Sequence, residues 1–160
     1  MKGYIINKIV FYGTGGPLSE LSKKLGDGEG EEALRFERIL PLTDETPEGM
    51  KKAWGIQAKP EEMESILYRN QTILEYTFKT EDGVPMPVFR KLAESFPEFR
   101  MCVQFASDDY GEFCGDYESG EGSAALAEKK IDDPLVFACD LWGVDPDEEM
   151  QERMINAYEE

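Results

Sequence analysis

The chain opens on a run of β-branched and aromatic residues, Tyr4 to Tyr12 (YIINKIVFY), that stops at Gly13. Apolar side chains fall on both phases of its alternation, which predicts a strand in a central position. Gly13-Thr14-Gly15-Gly16 reads as a turn, and Pro17 opens a helix whose Leu18, Leu21 and Leu25 are spaced i, i+3, i+7. The acidic GDGEG segment, residues 26–30, is a connector. Residues 32–40 (EALRFERIL) set Leu34 and Phe36 against Arg35 and Glu37 and stop at Pro41. That alternation predicts a second strand, although Glu and Leu also permit a helix. Thr46-Pro47-Glu48 predicts a short helix containing Met50 and Lys51, interrupted at Trp54-Gly55. Lys59-Pro60-Glu61-Glu62 then starts another turn, with Met63, Ile66 and Leu67 at helical spacing.

The pattern is clearer further on. Residues 72–79 (TILEYTFK) place Leu74, Tyr76 and Phe78 on one face of a strand. Val88 to Phe96, opened by Pro85 and Pro87, carries Phe89, Leu92, Ala93 and Phe96 at helical spacing. Residues 98–106 alternate Phe99, Met101, Val103 and Phe105, Ser107 to Gly111 reads as a hairpin turn, and residues 112–118 return with Phe113 and Tyr117 on one face and Cys114 on the other. The SGEGS linker, 119–123, leads to a helix capped by Asp133, opened by Pro134 and closed by Gly143. Its residues 135–142 (LVFACDLW) are apolar nearly all round, which requires burial on more than one side, by this chain or by a second subunit. Asp145-Pro146-Asp147-Glu148 caps a last helix, with Met150, Met154 and Tyr158 on one stripe.

The order β-α-β…β-α-β-β-α-α predicts an α+β fold. It is a ferredoxin-like antiparallel sheet, with helices on one face and a C-terminal helical extension. The domain layout it implies is a ferredoxin-like unit over residues 1–122 and an acidic helical extension over 123–160 packed on it.

Composition narrows the chemistry. Histidine is absent, which removes His-based acid–base catalysis, Ser-His and Cys-His pairs and His-containing zinc sites. The three cysteines, Cys102, Cys114 and Cys139, are odd in number and form no C-x-x-C pair, so a reducing, cytoplasmic setting without disulfide, metal or cofactor is expected. No apolar stretch reaches the ~18 residues of a membrane span, and the N-terminus lacks the form of a secretory signal. The net charge of −17 is uneven. Residues 1–106 hold 17 acids and 14 bases, whereas residues 107–160 hold 17 acids and only Lys129, Lys130 and Arg153. Such a field repels nucleic acid and anionic lipid and attracts basic proteins.

Phe36…Leu40-Pro41, Trp54-Gly55, the strand that follows, Pro85 and Pro87 opening a helix that ends at Phe96-Pro97, and Glu112-Phe113-Cys114-Gly115 with Tyr117 together resemble the YubB-type ferredoxin-like proteins carried by phages and plasmids. The resemblance spans roughly residues 4–120. It implies a ferredoxin-like fold and a mobile-element setting and assigns no catalytic residue.

Three motifs suggest ligands, and two of them fail on spacing. Gly13-Thr14-Gly15-Gly16 lacks the last glycine of a dinucleotide loop, where Leu18 stands, and the Gly-Lys-Ser/Thr of a phosphate loop. Asp145-x-Asp147-x-Glu149 puts Met150 where a calcium loop needs glycine. Asp108, Asp109, Glu112 and Asp116 could hold a hard cation if the hairpin gathers them. The residues singled out for interaction are Trp54, Tyr110, Asp108, Asp109, Glu112 and Trp142, with Tyr110 expected to be exposed at the hairpin tip. Three functions fit: a non-catalytic protein-interaction module with a basic partner, as monomer or homodimer; an acidic nucleic-acid mimic that blocks a DNA-binding defence protein; and a small enzyme using carboxylates or Cys114.

Overall fold

A computed structural model describes residues 3–13, 15–28, 30–68, 70–81, 83–120 and 125–159. In chain order these form β1 (Tyr4–Tyr12), α1 (Gly15–Leu25), α2 (Phe36–Ile39), α3 (Pro47–Trp54), β2 (Glu61–Leu67), β3 (Ile73–Glu81), α4 (Met86–Ser95), β4 (Arg100–Ser107), β5 (Cys114–Ser119), β6 (Ala127–Glu128), α5 (Pro134–Trp142) and α6 (Pro146–Glu159). The strands make one open sheet in the order β2-β3-β1-β4-β5-β6, and every neighbouring pair is antiparallel. The protein is thus mixed α and β around a six-stranded antiparallel sheet. No described helix is long and apolar enough to cross a membrane.

The register divides the sheet into two faces. Ile9 sits between Tyr76 and Val103, and Phe11 between Leu74 and Met101. With Phe78 these side chains form the floor of the main core, all of them buried. Helices α1 and α4 cover this floor, because Leu18, Leu21 and Leu25 share one stripe and Val88, Phe89, Leu92 and Ala93 share another. Helix α3 starts where Thr46 accepts a hydrogen bond from Gly49 N, with Pro47 in its first turn, and ends at Gly55, whose φ of 84° suits only glycine well. Phe36 wedges edge-on between Trp54 and Phe78, with ring centroids 5.4 and 5.6 Å away.

Two expectations from the pattern give way here. Residues 32–40 are not a strand. A 3-10 turn at Gly30–Glu32 and the short α2 carry Ala33, Leu34 and Phe36 into the core, so the apparent alternation is the spacing of a compact loop. The second strand lies instead at 61–67, in the segment expected to turn. Pairing with β3 overrides the helical spacing of Met63, Ile66 and Leu67, and only Met63 is buried. No feature of the sequence pattern predicts the two-residue strand β6, and residues 121–123 of the expected linker lie outside the described residues.

The opposite sheet face is polar over most of its area. Lys8 pairs with Glu75 at 3.0 Å, and Glu118 takes Arg100 at 2.5 Å and Lys129 at 3.3 Å. Helix α5 covers the rest, packing on β4 and β1 beside the fully buried Ala106. It is sandwiched less completely than its all-apolar sequence requires. Ala138 and Cys139 are buried, whereas Leu135, Phe137, Leu141 and Trp142 are half-buried and Val136 is exposed.

Candidate functional site

The β4–β5 hairpin, α5 and α6 meet at one end of the polar face. The hairpin turn closes through Ser107 N to Phe113 O at 2.8 Å and Tyr110 N to Ser107 O at 3.2 Å. Asp109 braces it, accepting from the Ser107 hydroxyl and, at 3.3 Å, from Glu112 N. Tyr110 takes a left-handed φ of 54° and Gly111 a φ of 121°. A Cβ on Gly111 would lie 3.2 Å from the backbone of Pro134 and Leu135, so the tip is pressed against the start of α5. Arg153 of α6 ties the tip down from the other side, donating to Asp109 O at 2.6 Å and Tyr110 O at 3.0 Å.

Trp142, the last residue of α5, is fixed by this arrangement. Its Nε1–H is shared between Ala106 O and Ser107 O, 3.0 Å from each, and Tyr110 packs against it edge-on with centroids 6.3 Å apart. The Nζ of Lys79 stands 5.4 Å from the centre of the Trp142 ring and pairs with Glu62. Tyr4, Glu61, Glu62, Lys79, Asp108 and Trp142 enclose a pocket of about 330 Å³. Asp108 accepts from Tyr4 N at 3.3 Å, and the Tyr4 hydroxyl donates to Glu81 at 3.0 Å. The hydrogen bond to Glu81 and the nearby charge of Glu61 raise the Tyr4 phenol above its ordinary value, a sign of negative potential.

A bulge creates the acidic wall. Between Glu61, opposite Lys79, and Glu64, opposite Thr77, β2 carries one residue more than β3. Glu62 absorbs the excess with a φ of 50°, which leaves two consecutive glutamates lining the pocket.

Of the six residues singled out from the sequence, Tyr110, Asp108, Asp109, Glu112 and Trp142 come together here. Trp54 does not. It is wholly buried in the main core, its indole donating to Leu40 O at 2.8 Å. Tyr110 is half-buried against Trp142 rather than exposed. Sequence reasoning missed Tyr4, Glu61, Glu62 and Lys79, whose meeting depends on strand register alone. The described residues contain no cluster of three or more Asp, Glu or Cys with metal-binding geometry. Cys102 and Cys114 share the polar face but pair with Glu118 and Ala106, so they are not opposite each other. Burial pushes the thiols of Cys102, Cys114 and Cys139 up from their ordinary value.

Beside the pocket, α6 presents Met150, Met154 and Ile155, each more than half exposed, among Asp147, Glu148 and Glu152. Compared with protein-family models, curated proteins and solved structures, the chain matches none.

Proposed function

We propose that this protein is a non-catalytic interaction module that binds a basic protein through its C-terminal helical face. The observation that carries the reading is α6. Met150 and Met154 are separated by one turn and lie within about 40° of each other around the helix. Both stay open to water, as does Ile155, while the flanking carboxylates of Asp147, Glu148 and Glu152 give the stripe an acidic border. Burying each such side chain contributes about 1.5–3 kcal/mol. The complementary surface is an apolar groove with a basic rim, entered by a helix. A second copy of this chain is a poor occupant, because its own charge is −17.

Other observations support the same reading. Thiols raised by burial are poor nucleophiles at neutral pH, which disfavours the cysteine-dependent enzyme. The strand order β2-β3-β1-β4, with α1 and α4 on one face, supports the ferredoxin-like fold. With it goes the likeness to YubB-type proteins of phages and plasmids, acting in a reducing cytoplasm. The nucleic-acid mimic shares the demand for a basic partner and differs in where that partner's contacts fall.

The test is affinity capture with the wild-type protein and a Met150→Glu/Met154→Glu variant, followed by quantification of what each retains. A basic protein held by the wild type, lost by the variant and released by moderate salt is the expected result. Retention undiminished by the variant, together with competition by duplex DNA, would move the function to the mimic.

A further inference from the structure

We infer that the pocket over Trp142 is a receptor for the side-chain cation of a basic polypeptide, a lysine ammonium or an arginine guanidinium. In the free protein Lys79 occupies that receptor as a built-in surrogate. The inference rests on the reading of a basic partner and adds a second contact, made by residues other than those of the α6 stripe.

The ring is set in advance. Two carbonyls hold the indole N–H and Tyr110 braces its edge, so little freedom is lost when a ligand settles on the ring. An ammonium within about 6 Å of an indole centroid is attracted by the ring's quadrupole, and Lys79 at 5.4 Å already satisfies that geometry. Charge then favours a second cation. Glu61, Glu62 and Asp108 line the pocket and Glu81 stands behind Tyr4, against the one ammonium of Lys79. A volume of about 330 Å³ exceeds what the Lys79 ammonium fills and leaves room for a second side chain to enter with its alkylammonium or guanidinium head. The bulge that turns Glu61 and Glu62 onto one rim places a non-glycine residue at positive φ, a cost that structures tend to bear at binding sites. A hard metal ion is a poor alternative, since one wall is an aromatic face that offers it no oxygen.

Displacement makes the prediction quantitative. If Lys79 fills the ring face most of the time, removing it should tighten binding of an external cation by about three- to tenfold. The probes are acetylated, amidated Gly-Lys-Gly and Gly-Arg-Gly tripeptides, the same peptide with neutral norleucine at its centre, and spermidine. Each is titrated into wild-type protein, Lys79→Ala and Lys79→Ala/Glu62→Gln while the Trp142 indole N–H signal is followed by NMR. The expected result is saturable shifts with the lysine and arginine peptides, tighter in Lys79→Ala and weakened again by Glu62→Gln, with none for norleucine. Equal affinity in wild type and Lys79→Ala, or equal shifts with norleucine, overturns the inference. Spermidine binding more tightly than either peptide overturns the polypeptide as the source. Running the titration on Met150→Glu/Met154→Glu keeps the two readings apart, because the pocket should respond unchanged even where the α6 surface is destroyed.

Discussion

Asn7 and Thr80 show how one buried polar pair organises the centre of the sheet. Asn7 is wholly buried, and its amide donates to Thr80 Oγ1 at 3.0 Å and Ile5 O at 3.2 Å. Thr80 passes the chain of bonds on, donating to Gly83 O at 2.6 Å just before α4. Thr80→Val keeps the shape and removes both bonds, so it should cost about 1–3 kcal/mol in urea denaturation, with Thr80→Ser recovering most of the loss. A neutral Thr80→Val would show that the network is incidental. On the opposite face, Glu118 is held below its ordinary range by the hydrogen bond from Arg100 and then by Lys129. A depressed folded-state value means that its stabilisation is present above about pH 4.5 and lost as pH falls through the lower folded value. The stability difference between wild type and Glu118→Gln should therefore be largest near neutrality and close in acid. A gap independent of pH would remove the ion pair from the account.

At the scale of elements, the β4–β5 hairpin depends on a missing side chain. A Cβ on Gly115 would lie 2.2 Å from the ring of Phe105, which is itself held between Phe113 and Tyr117. Gly115→Ala should destabilise by more than about 1 kcal/mol, and adding Phe105→Leu should recover part of that loss. Strict additivity of the two changes would refute the clash. The same hairpin was readable in advance, because Phe99, Met101, Val103 and Phe105 alternate against a buried floor and Gly111 supplies the turn. The strands β1 and β3 and the helices α1, α3, α4 and α5 were readable for the same reason: each buries one stripe or is framed by Pro and Gly. The strand β2 was not readable. Its Glu61, Glu62 and Glu64 suit a helix, and only pairing with Lys79, Thr77 and Tyr76 of β3 makes it a strand. Half of the candidate site was legible, since Trp142 and the hairpin acids stand out in composition. The other half, Tyr4, Glu61, Glu62 and Lys79, comes from three strands whose register no local pattern reveals.

For the whole molecule, charge is the dominant variable. With a formal charge of −17, the folded state concentrates like charges that the unfolded chain spreads apart. Sodium chloride should therefore raise the melting temperature between low ionic strength and about 0.5 M, where screening acts over a few ångströms. A fall over that range would mean that pairs such as Lys8–Glu75 and Arg100–Glu118 outweigh the general repulsion.

The position of β1 also bears on how the protein is made. Tyr4–Tyr12 leaves the ribosome well before its partners, Ile73–Glu81 and Arg100–Ser107. At about 5–20 residues per second, this apolar strand waits several seconds for its second neighbour to be synthesised. Throughout that interval Ile5, Ile9, Val10 and Phe11 have no sheet to enter, and loop closure over such separations is slow in itself. Aggregation is then a hazard of the nascent chain, and a chaperone that shelters residues 4–12 during synthesis should raise the yield more than any stabilising change in the folded state.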